Sequence, residues 1–228
     1  MKRYEEAITC FDNAIEIVPG NARAWRNKAY TLNNLGRYEE AIECFDELLE
    51  IDSKVARAWR NKGYALENLE RYEEVIVCFD KALQIDSKNA RAWSHKGYAL
   101  NTLKRYEEAV TCLDKALKIN PNYASAWYHK GFALFNLEKY EDAIRCVDKA
   151  LAIKPMFEDV LNLNSLAEEK LKEPPVTIER AIFDPWKRDF VESALPRMKE
   201  WINRYDPGAY WFAVSLQNNS DTIGVVLI

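Results

Sequence analysis

The sequence predicts a mostly α-helical solenoid of repeated helical hairpins, followed by a small segment with one helix and a β-hairpin. Cysteine recurs every 34 residues, and the same step separates a set of tyrosines and a set of tryptophans. Residue types with unlike chemistry that share one period indicate an array of a single structural unit. The periodic positions are Cys10, Cys44, Cys78, Cys112 and Cys146; Tyr4, Tyr38, Tyr72, Tyr106 and Tyr140; and Trp25, Trp59, Trp93 and Trp127.

Each unit is predicted to be a helical hairpin, as residues 22–55 illustrate. Trp25, Ala29 and Leu32 fall at i, i+4 and i+7, which predicts a first helix near residues 22–35 with one apolar face. Gly36 is expected to end that helix, because glycine accepts the left-handed backbone conformation of a C-terminal cap. A second apolar pattern predicts another helix over residues 38–51. Since one hairpin cannot bury both of its faces, the units must stack to form a continuous core.

The same period divides the chain into domains. Residues 1–21 supply a second helix without its first helix, and we interpret them as a half repeat. Residues 158–173 begin in the register of a first helix, but Pro174 and Pro175 fall where the second helix should start. This segment is therefore predicted to cap the solenoid. Between these two segments lie four full units, at residues 22–55, 56–89, 90–123 and 124–157.

The period is lost over residues 174–228, which we interpret as an α+β segment that is incomplete by itself. Asp184 and Pro185 are typical of a helix N-cap and first turn, and a helix is predicted from there to about Tyr205. Alternating apolar residues over 209–217 and 222–228 predict a β-hairpin. Since an isolated hairpin is only marginally stable, we expect a larger β domain or a second copy of the chain to complete it.

The repeats resemble the tetratricopeptide repeat family. The fourth unit matches the family's pattern at Trp127, Gly131, Leu134, Tyr140, Ala143, Ala150 and Pro155. The resemblance covers residues 1 to about 157. The chain departs from the pattern, where the family prefers leucine, at Lys28, Lys62, Lys96 and Lys130. The resemblance implies a right-handed superhelix in which the first helices face a concave surface that binds peptides.

A polar and aromatic stripe follows the first helices on the side opposite the tryptophans, and it is the predicted binding site. It combines arginine, tyrosine and histidine, which are favoured at protein interfaces. The predicted groove residues are Arg23, Arg26, Asn27, Tyr30, Arg57, Arg60, Asn61, Tyr64, Arg91, His95, Tyr98, Tyr128, His129 and Phe132. The same stripe also contains Asn34, Asn68, Ser94, Thr102, Ser125 and Asn136.

Charge is segregated between the two helices of the first full unit. Residues 22–36 contain Arg23, Arg26 and Lys28 and no acidic residue, whereas residues 38–51 contain six acidic residues. The groove is therefore expected to be basic and to bind a protein or peptide with acidic groups. Arginine can grip such groups through two parallel hydrogen bonds.

Some members of the family clamp the terminal carboxylate of a peptide with Lys, Asn, Asn, Lys and Arg from three units. The resemblance places Arg26, Tyr30, Asn61, Arg91 and His95 at those positions. Three of these five keep the chemical type, whereas Tyr30 and His95 do not. A groove that binds internal acidic side chains, or whose arginines are merely solvated, stays open as the alternative.

The leading functional hypothesis is a non-enzymatic scaffold that binds a peptide segment of a partner protein. Single-stranded RNA binding is the alternative, because arginines and aromatic rings can stack on bases, although a net charge of −4 disfavours nucleic acid. A purely structural role, in which the repeats assemble with copies of themselves into an array, is a further hypothesis. Catalysis has no support, since no nucleophile or carboxylate pair accompanies the histidines. No cofactor or metal is expected, because one cysteine per unit cannot surround an ion.

The sequence predicts a cytoplasmic protein that does not enter the membrane. No apolar run reaches the roughly 18 residues of a membrane span, and charged residues interrupt the stretch where a signal peptide would be apolar. The five cysteines are interpreted as small apolar residues in a reducing compartment. If the chain forms a homodimer, we expect the contact at the uncovered N-terminal helix or at the C-terminal hairpin.

Overall fold

A computed structural model describes residues 2–155, 158–172, 211–213 and 225–227. The chain divides into two compact units, Met1–Ala167 and Glu168–Ile228. The described part of the first unit is a stack of helical hairpins. The described part of the second unit contains the end of one helix and two paired strands.

The repeats fold as helical hairpins, which confirms the predicted fold class. In residues 22–55 the two helices end within one residue of the predicted bounds. The described helices are α1 (Lys2–Ile17), α2 (Ala22–Asn34), α3 (Tyr38–Ile51), α4 (Ala56–Asn68), α5 (Tyr72–Ile85), α6 (Ala90–Thr102), α7 (Tyr106–Ile119), α8 (Ala124–Asn136), α9 (Tyr140–Ile153) and α10 (Glu158–Lys172). We call α2, α4, α6 and α8 the first helices and α3, α5, α7 and α9 the second helices.

Each first helix is followed by a residue with a left-handed backbone conformation. The sequence predicts this conformation for Gly36 in the first unit, where φ is +77°. The three later units hold the same backbone conformation with non-glycine residues, Glu70, Lys104 and Glu138, at φ of 57°, 59° and 58°. Two backbone hydrogen bonds close each turn; in the first unit Arg37 donates to Leu32 and Gly36 donates to Asn33. This is the Schellman pattern, and it imposes the left-handed conformation whatever the side chain.

Each hairpin closes around one large side chain of its second helix. Phe45, Phe79, Leu113 and Val147 occupy that position and are all fully buried. The first helix presents a small residue against each of them, and a methyl group added at Gly63 would lie 3.1 Å from the Phe79 ring. The small residues therefore set how closely the two helices of a unit approach.

Neighbouring units are joined by two polar contacts that recur along the stack. Each half-buried tryptophan donates from Nε1 to a carbonyl oxygen in the preceding loop, as Trp25 does to Pro19 at 2.8 Å. Each lysine at a departure from the family pattern pairs with an aspartate of the helix that precedes its own, as Lys28 does with Asp12 at 2.6 Å. The other such pairs are Lys62 with Asp46, Lys96 with Asp80, and Lys130 with Asp114.

Four of the five cysteines are buried, whereas Cys10 is exposed. The lysine of the first helix lies near the buried thiol of its own unit, as Lys28 lies near Cys44. Cys10 belongs to α1, and the described residues include no first helix paired with α1 in the way that α2 pairs with α3. The sequence period treats the five positions as equivalent, and the structure separates one of them.

Helix α10 packs its apolar side on the last hairpin. Val160 and Leu163 are buried against Val147 and Ala150 of α9. Glu168 and Glu169 lie on its exposed side, which is the arrangement expected of a capping helix.

The second unit contains two short antiparallel strands, β1 (Trp211–Ala213) and β2 (Val225–Leu227). Trp211 is opposite Leu227, and Ala213 is opposite Val225. Both strands lie inside the stretches from which the sequence predicts a hairpin. The turn between them and the helix predicted from Asp184 to Tyr205 lie outside the described residues.

Candidate functional site

The first helices of neighbouring units approach one another directly. Helix α6 packs against α8, and α2 touches α4. The predicted groove residues all belong to these four helices. A ligand that lies along them can therefore contact side chains from several units at once.

The structure brings part of the predicted site together around a small cavity of about 200 Å³. Three successive first helices contribute to it, together with the residue that precedes α8. Of the predicted groove residues, His95, Tyr98 and His129 line this cavity. The full lining is Glu67, Ser94, His95, Tyr98, Tyr123, Ser125 and His129.

Glu67 of α4 and His95 of α6 form a pair at the wall of the cavity. The Glu67 Oε2 atom lies 2.8 Å from Nδ1 of His95. The imidazole also meets the Tyr64 ring edge-on at a centroid distance of 4.6 Å, and it stacks on Phe79 at 5.6 Å and 17°. His95 is thereby held by a hydrogen bond on one atom and by ring contacts on two sides.

His129 of α8 lies between two tyrosine rings, Tyr98 at 5.1 Å and Tyr128 at 5.2 Å. Burial, together with the neighbouring His95, lowers the pKa of His129 to about 4. The backbone oxygen of His129 accepts a hydrogen bond of 2.8 Å from Nδ2 of the buried Asn101 in α6. His129 is therefore a fixed, uncharged aromatic group at neutral pH.

The aromatic residues of the stripe are more buried than a solvent-facing surface implies. Tyr30 packs on Phe45 with ring centroids 5.7 Å apart, and Tyr64 packs on Phe79 at 5.4 Å. Their hydroxyl groups are buried without a hydrogen-bond partner among the described residues. Phe132 lies 6.5 Å from Tyr106 and, like Tyr128, packs on the core of the last hairpin. These rings contribute to the core of the hairpins, because long side chains at this position reach the second helix.

The predicted arginines are distributed along the N-terminal half of the stripe and do not line the cavity. Arg57 lies over the ring of Tyr30 at 5.3 Å, which is a cation–π contact across two units. The Nη1 atom of Arg60 lies 3.8 Å from Oδ2 of Asp86, which is in the loop between α5 and α6. Arg23 and Arg91 are exposed, whereas Arg26, Asn27 and Asn61 are half-buried.

The expected basic character of the groove does not extend to this cavity. Glu67 is an acid, and the seven lining residues include neither lysine nor arginine. The contacts of two predicted clamp positions also disfavour a terminal-carboxylate clamp, because His95 at the cavity is already paired with Glu67 and Tyr30 in α2 packs on Phe45.

Glu67 and Tyr123 are the cavity residues that sequence reasoning missed. Glu67 stands at a position of the unit that holds Asn33 and Asn101 in its neighbours, so the change from an amide to an acid in one unit was the available signal. Tyr123 closes the third unit where the first two units have Val55 and Asn89. Both residues differ in chemical type from those residues at the equivalent positions of other units.

The described residues also bear on metal binding and on membrane insertion. No group of three or more His, Cys, Asp or Glu side chains in that part of the chain is arranged to hold a metal ion. No helix among the residues described combines the length and apolar character of a membrane span.

Models of known protein families match the repeat region of this chain. Models described as tetratricopeptide or TPR repeats match residues 1–62, 56–89, 97–138 and 124–157. The chain belongs to the tetratricopeptide repeat family. Its membership rests on residues 1–157, which contain the four hairpins and the helix before them.

Several solved structures share this fold. MamA from Desulfovibrio magneticus RS-1, from position 41 to its end, is 22% identical and covers 81% of this chain and 97% of its own, with a TM-score of 0.63. YrrB, described as a TPR protein with an unusual peptide-binding site, is 23% identical over 87% of this chain and 93% of its own, with a TM-score of 0.62. Curated protein sequences give no significant match.

A third structure is the first TPR of Spaghetti (RPAP3) bound to the HSP90 peptide SRMEEVD. It is 25% identical and covers 54% of this chain and 97% of its own, with a TM-score of 0.52.

Proposed function

We propose that this tetratricopeptide repeat protein is a scaffold whose first helices bind an extended segment of a partner protein. The observation that carries the proposal is the cavity shared by α4, α6 and α8. A ligand seated there must contact three successive units. Repeat arrays use such continuous surfaces for recognition, because each unit adds contacts without changing the fold.

The side chains along the first helices suit this role. Half-buried rings such as Tyr30 and Tyr64 are held by Phe45 and Phe79, so little entropy is lost when a ligand contacts them. Arg57 adds an exposed guanidinium stacked on Tyr30. Arginine and tyrosine are the residue types that dominate binding energy at interfaces.

Peptide recognition by relatives supports the proposal. Spaghetti (RPAP3) holds a peptide with two glutamates and a terminal aspartate, and YrrB is described by its peptide-binding site. We infer that acidic groups of the partner contact the arginines of α2, α4 and α6, among them Arg23, Arg57 and Arg91.

The proposed role is binding without catalysis. His95 is occupied by Glu67, and His129 is packed between two tyrosines, so neither histidine of the cavity is placed as a base beside a nucleophile. A cytoplasmic, reducing location is part of the proposal, since Cys44 and the cysteines of the next three units are buried as free thiols.

Affinity capture of partners from a lysate of the source cells tests the proposal. The test variant is Arg57→Glu with Arg91→Glu, which reverses two exposed charges of the first helices. The matched control is Lys81→Glu with Lys118→Glu, which makes the same charge change at exposed positions of the second helices. We expect the wild type and the control to capture partner proteins that the test variant does not capture. A folded test variant that captures the same proteins would refute the assignment of the first helices as the binding surface.

A further inference from the structure

We infer that the cavity between α4, α6 and α8 is a subsite for a basic side chain, lysine or arginine, of the bound segment. This inference rests on the proposed function, because the cation is supplied by a peptide that lies along the first helices. It differs from the sequence expectation, which assigns the groove to acidic groups alone.

The charge of the lining points to a cation. Glu67 carries the one carboxylate among the seven residues around the cavity, and none of the seven is lysine or arginine. A hydrogen bond donated by Nδ1 of His95 accounts for the 2.8 Å contact to Oε2 and occupies one oxygen of the Glu67 carboxylate. The second oxygen, Oε1, has no hydrogen-bond partner among the described residues. A partly buried carboxylate of this kind attracts a cation more strongly than one in bulk water.

The rings around the cavity favour the same ligand. Tyr98 and His129 lie 5.1 Å apart on its wall, and Tyr123 also lines it. Aromatic faces attract ammonium and guanidinium groups, and the interaction strengthens when water is excluded. His129 is uncharged at neutral pH, since its pKa is lowered to about 4, so it does not repel an incoming cation.

The volume restricts the ligand to a single side chain. A cavity of about 200 Å³ is smaller than the sites of roughly 300–1,000 Å³ that enclose small-molecule ligands. Hydroxyl groups of Ser94 and Ser125 on the wall can accept hydrogen bonds from the N–H groups of lysine or arginine.

The arginines of α4 and α6 are accounted for by other partners or face solvent. Arg60 lies beside Asp86, Arg57 stacks on Tyr30, and Arg91 is exposed. The surface therefore changes character along the stack, from arginines on α2 and α4 to a carboxylate with rings between α4 and α8. A matching segment carries acidic residues at one end and a basic residue at a fixed distance from them.

Selection from a displayed library of random peptides tests this subsite. Four proteins are used in parallel: the wild type, Glu67→Gln, the groove variant Arg57→Glu with Arg91→Glu, and the control Glu70→Gln. Glu70 is exposed in the turn that follows α4, so the control removes one negative charge outside the cavity. We expect wild type and control to enrich peptides with lysine or arginine at one fixed position, and Glu67→Gln to lose that preference.

A synthetic peptide from the selection then gives the magnitude. Replacing its basic residue by norleucine is expected to weaken binding to the wild type by roughly tenfold or more, and to change binding to Glu67→Gln by less than about twofold. Equal losses for the two proteins would overturn the subsite.

The selection distinguishes failure of the subsite from failure of the proposed function. Peptides that depend on Arg57 and Arg91 but show no fixed basic residue, or that keep it with Glu67→Gln, would overturn the subsite and leave the proposed function intact. If every enriched peptide also binds the groove variant, or if no peptide is enriched, the proposed function is overturned. The subsite is then overturned with it.

Discussion

A methyl group added to Gly97 of α6 would lie 2.6 Å from Cγ of Leu113 in α7. Leu113 is fully buried, so it can move only by disturbing the core of its unit. In the preceding unit the corresponding contact, from Gly63 to the Phe79 ring, is 3.1 Å. The first unit tolerates alanine at this position, since Ala29 and Phe45 are both fully buried there.

We therefore predict different responses to alanine at two equivalent glycines. Gly97→Ala should lower the free energy of unfolding by about 1–2 kcal/mol, because overpacking of the core outweighs the gain in helix propensity. Gly63→Ala should change it by less than about 0.5 kcal/mol, because the gain in propensity offsets a milder contact. Urea unfolding followed by circular dichroism measures both values. Equal destabilisation by the two variants would show that Leu113 is not the cause.

The left-handed residue at the end of α6 predicts a stabilising substitution. Lys104 has a φ of 59°, a conformation that is unfavourable for residues with a side chain but not for glycine. Lys104→Gly should raise the free energy of unfolding by about 0.5–1 kcal/mol. Lys104→Ala is the matched control, since it removes the charge and keeps the penalty. A thermal melt in which alanine stabilises as much as glycine would contradict the backbone explanation.

Thiol accessibility separates Cys10 from the other four cysteines. Burial raises the pKa of Cys44 and of Cys78 to about 11, which leaves little reactive thiolate at neutral pH. A colorimetric thiol reagent should modify one thiol rapidly in the native protein and five in denaturant. Cys10→Ser should abolish the rapid phase. Rapid modification of two or more thiols in the folded protein would contradict the burial of the repeat cysteines.

His129 predicts a stability that falls in mild acid. Its pKa is about 4 in the folded protein, below the ordinary value of about 6.5 for an unfolded chain. The unfolded state therefore binds the proton first, and folding loses free energy as the pH falls from 7 towards 4. Between pH 7 and pH 5 the wild type should lose about 1–2 kcal/mol more than His129→Gln, after allowance for solvent screening. Parallel pH profiles of urea unfolding would contradict this assignment.

The repeat period was sufficient to predict the hairpins, because helix ends and buried positions recur with it. Leu32 and Gly36 placed the end of α2 within one residue, since both act locally through burial and backbone conformation. The same reasoning predicted His95, Tyr98 and His129 as groove residues, and all three line one cavity.

Contacts between units were harder to predict. Glu67 and His95 are 28 residues apart and belong to different first helices, so no local pattern joins them. The lysine and aspartate ladder between units was also missed, although Asp12 and its counterparts recur every 34 residues. These pairs depend on how one hairpin rests on the next, which a helical period alone does not specify.

Chemical-shift mapping by NMR of the labelled protein with its strongest selected peptide tests the binding surface most directly. We expect the largest shifts to fall on the exposed side of α4, α6 and α8, around Glu67, His95 and His129. Saturable shifts confined to the second helices α5 and α7, with α4, α6 and α8 unchanged, would contradict this expectation.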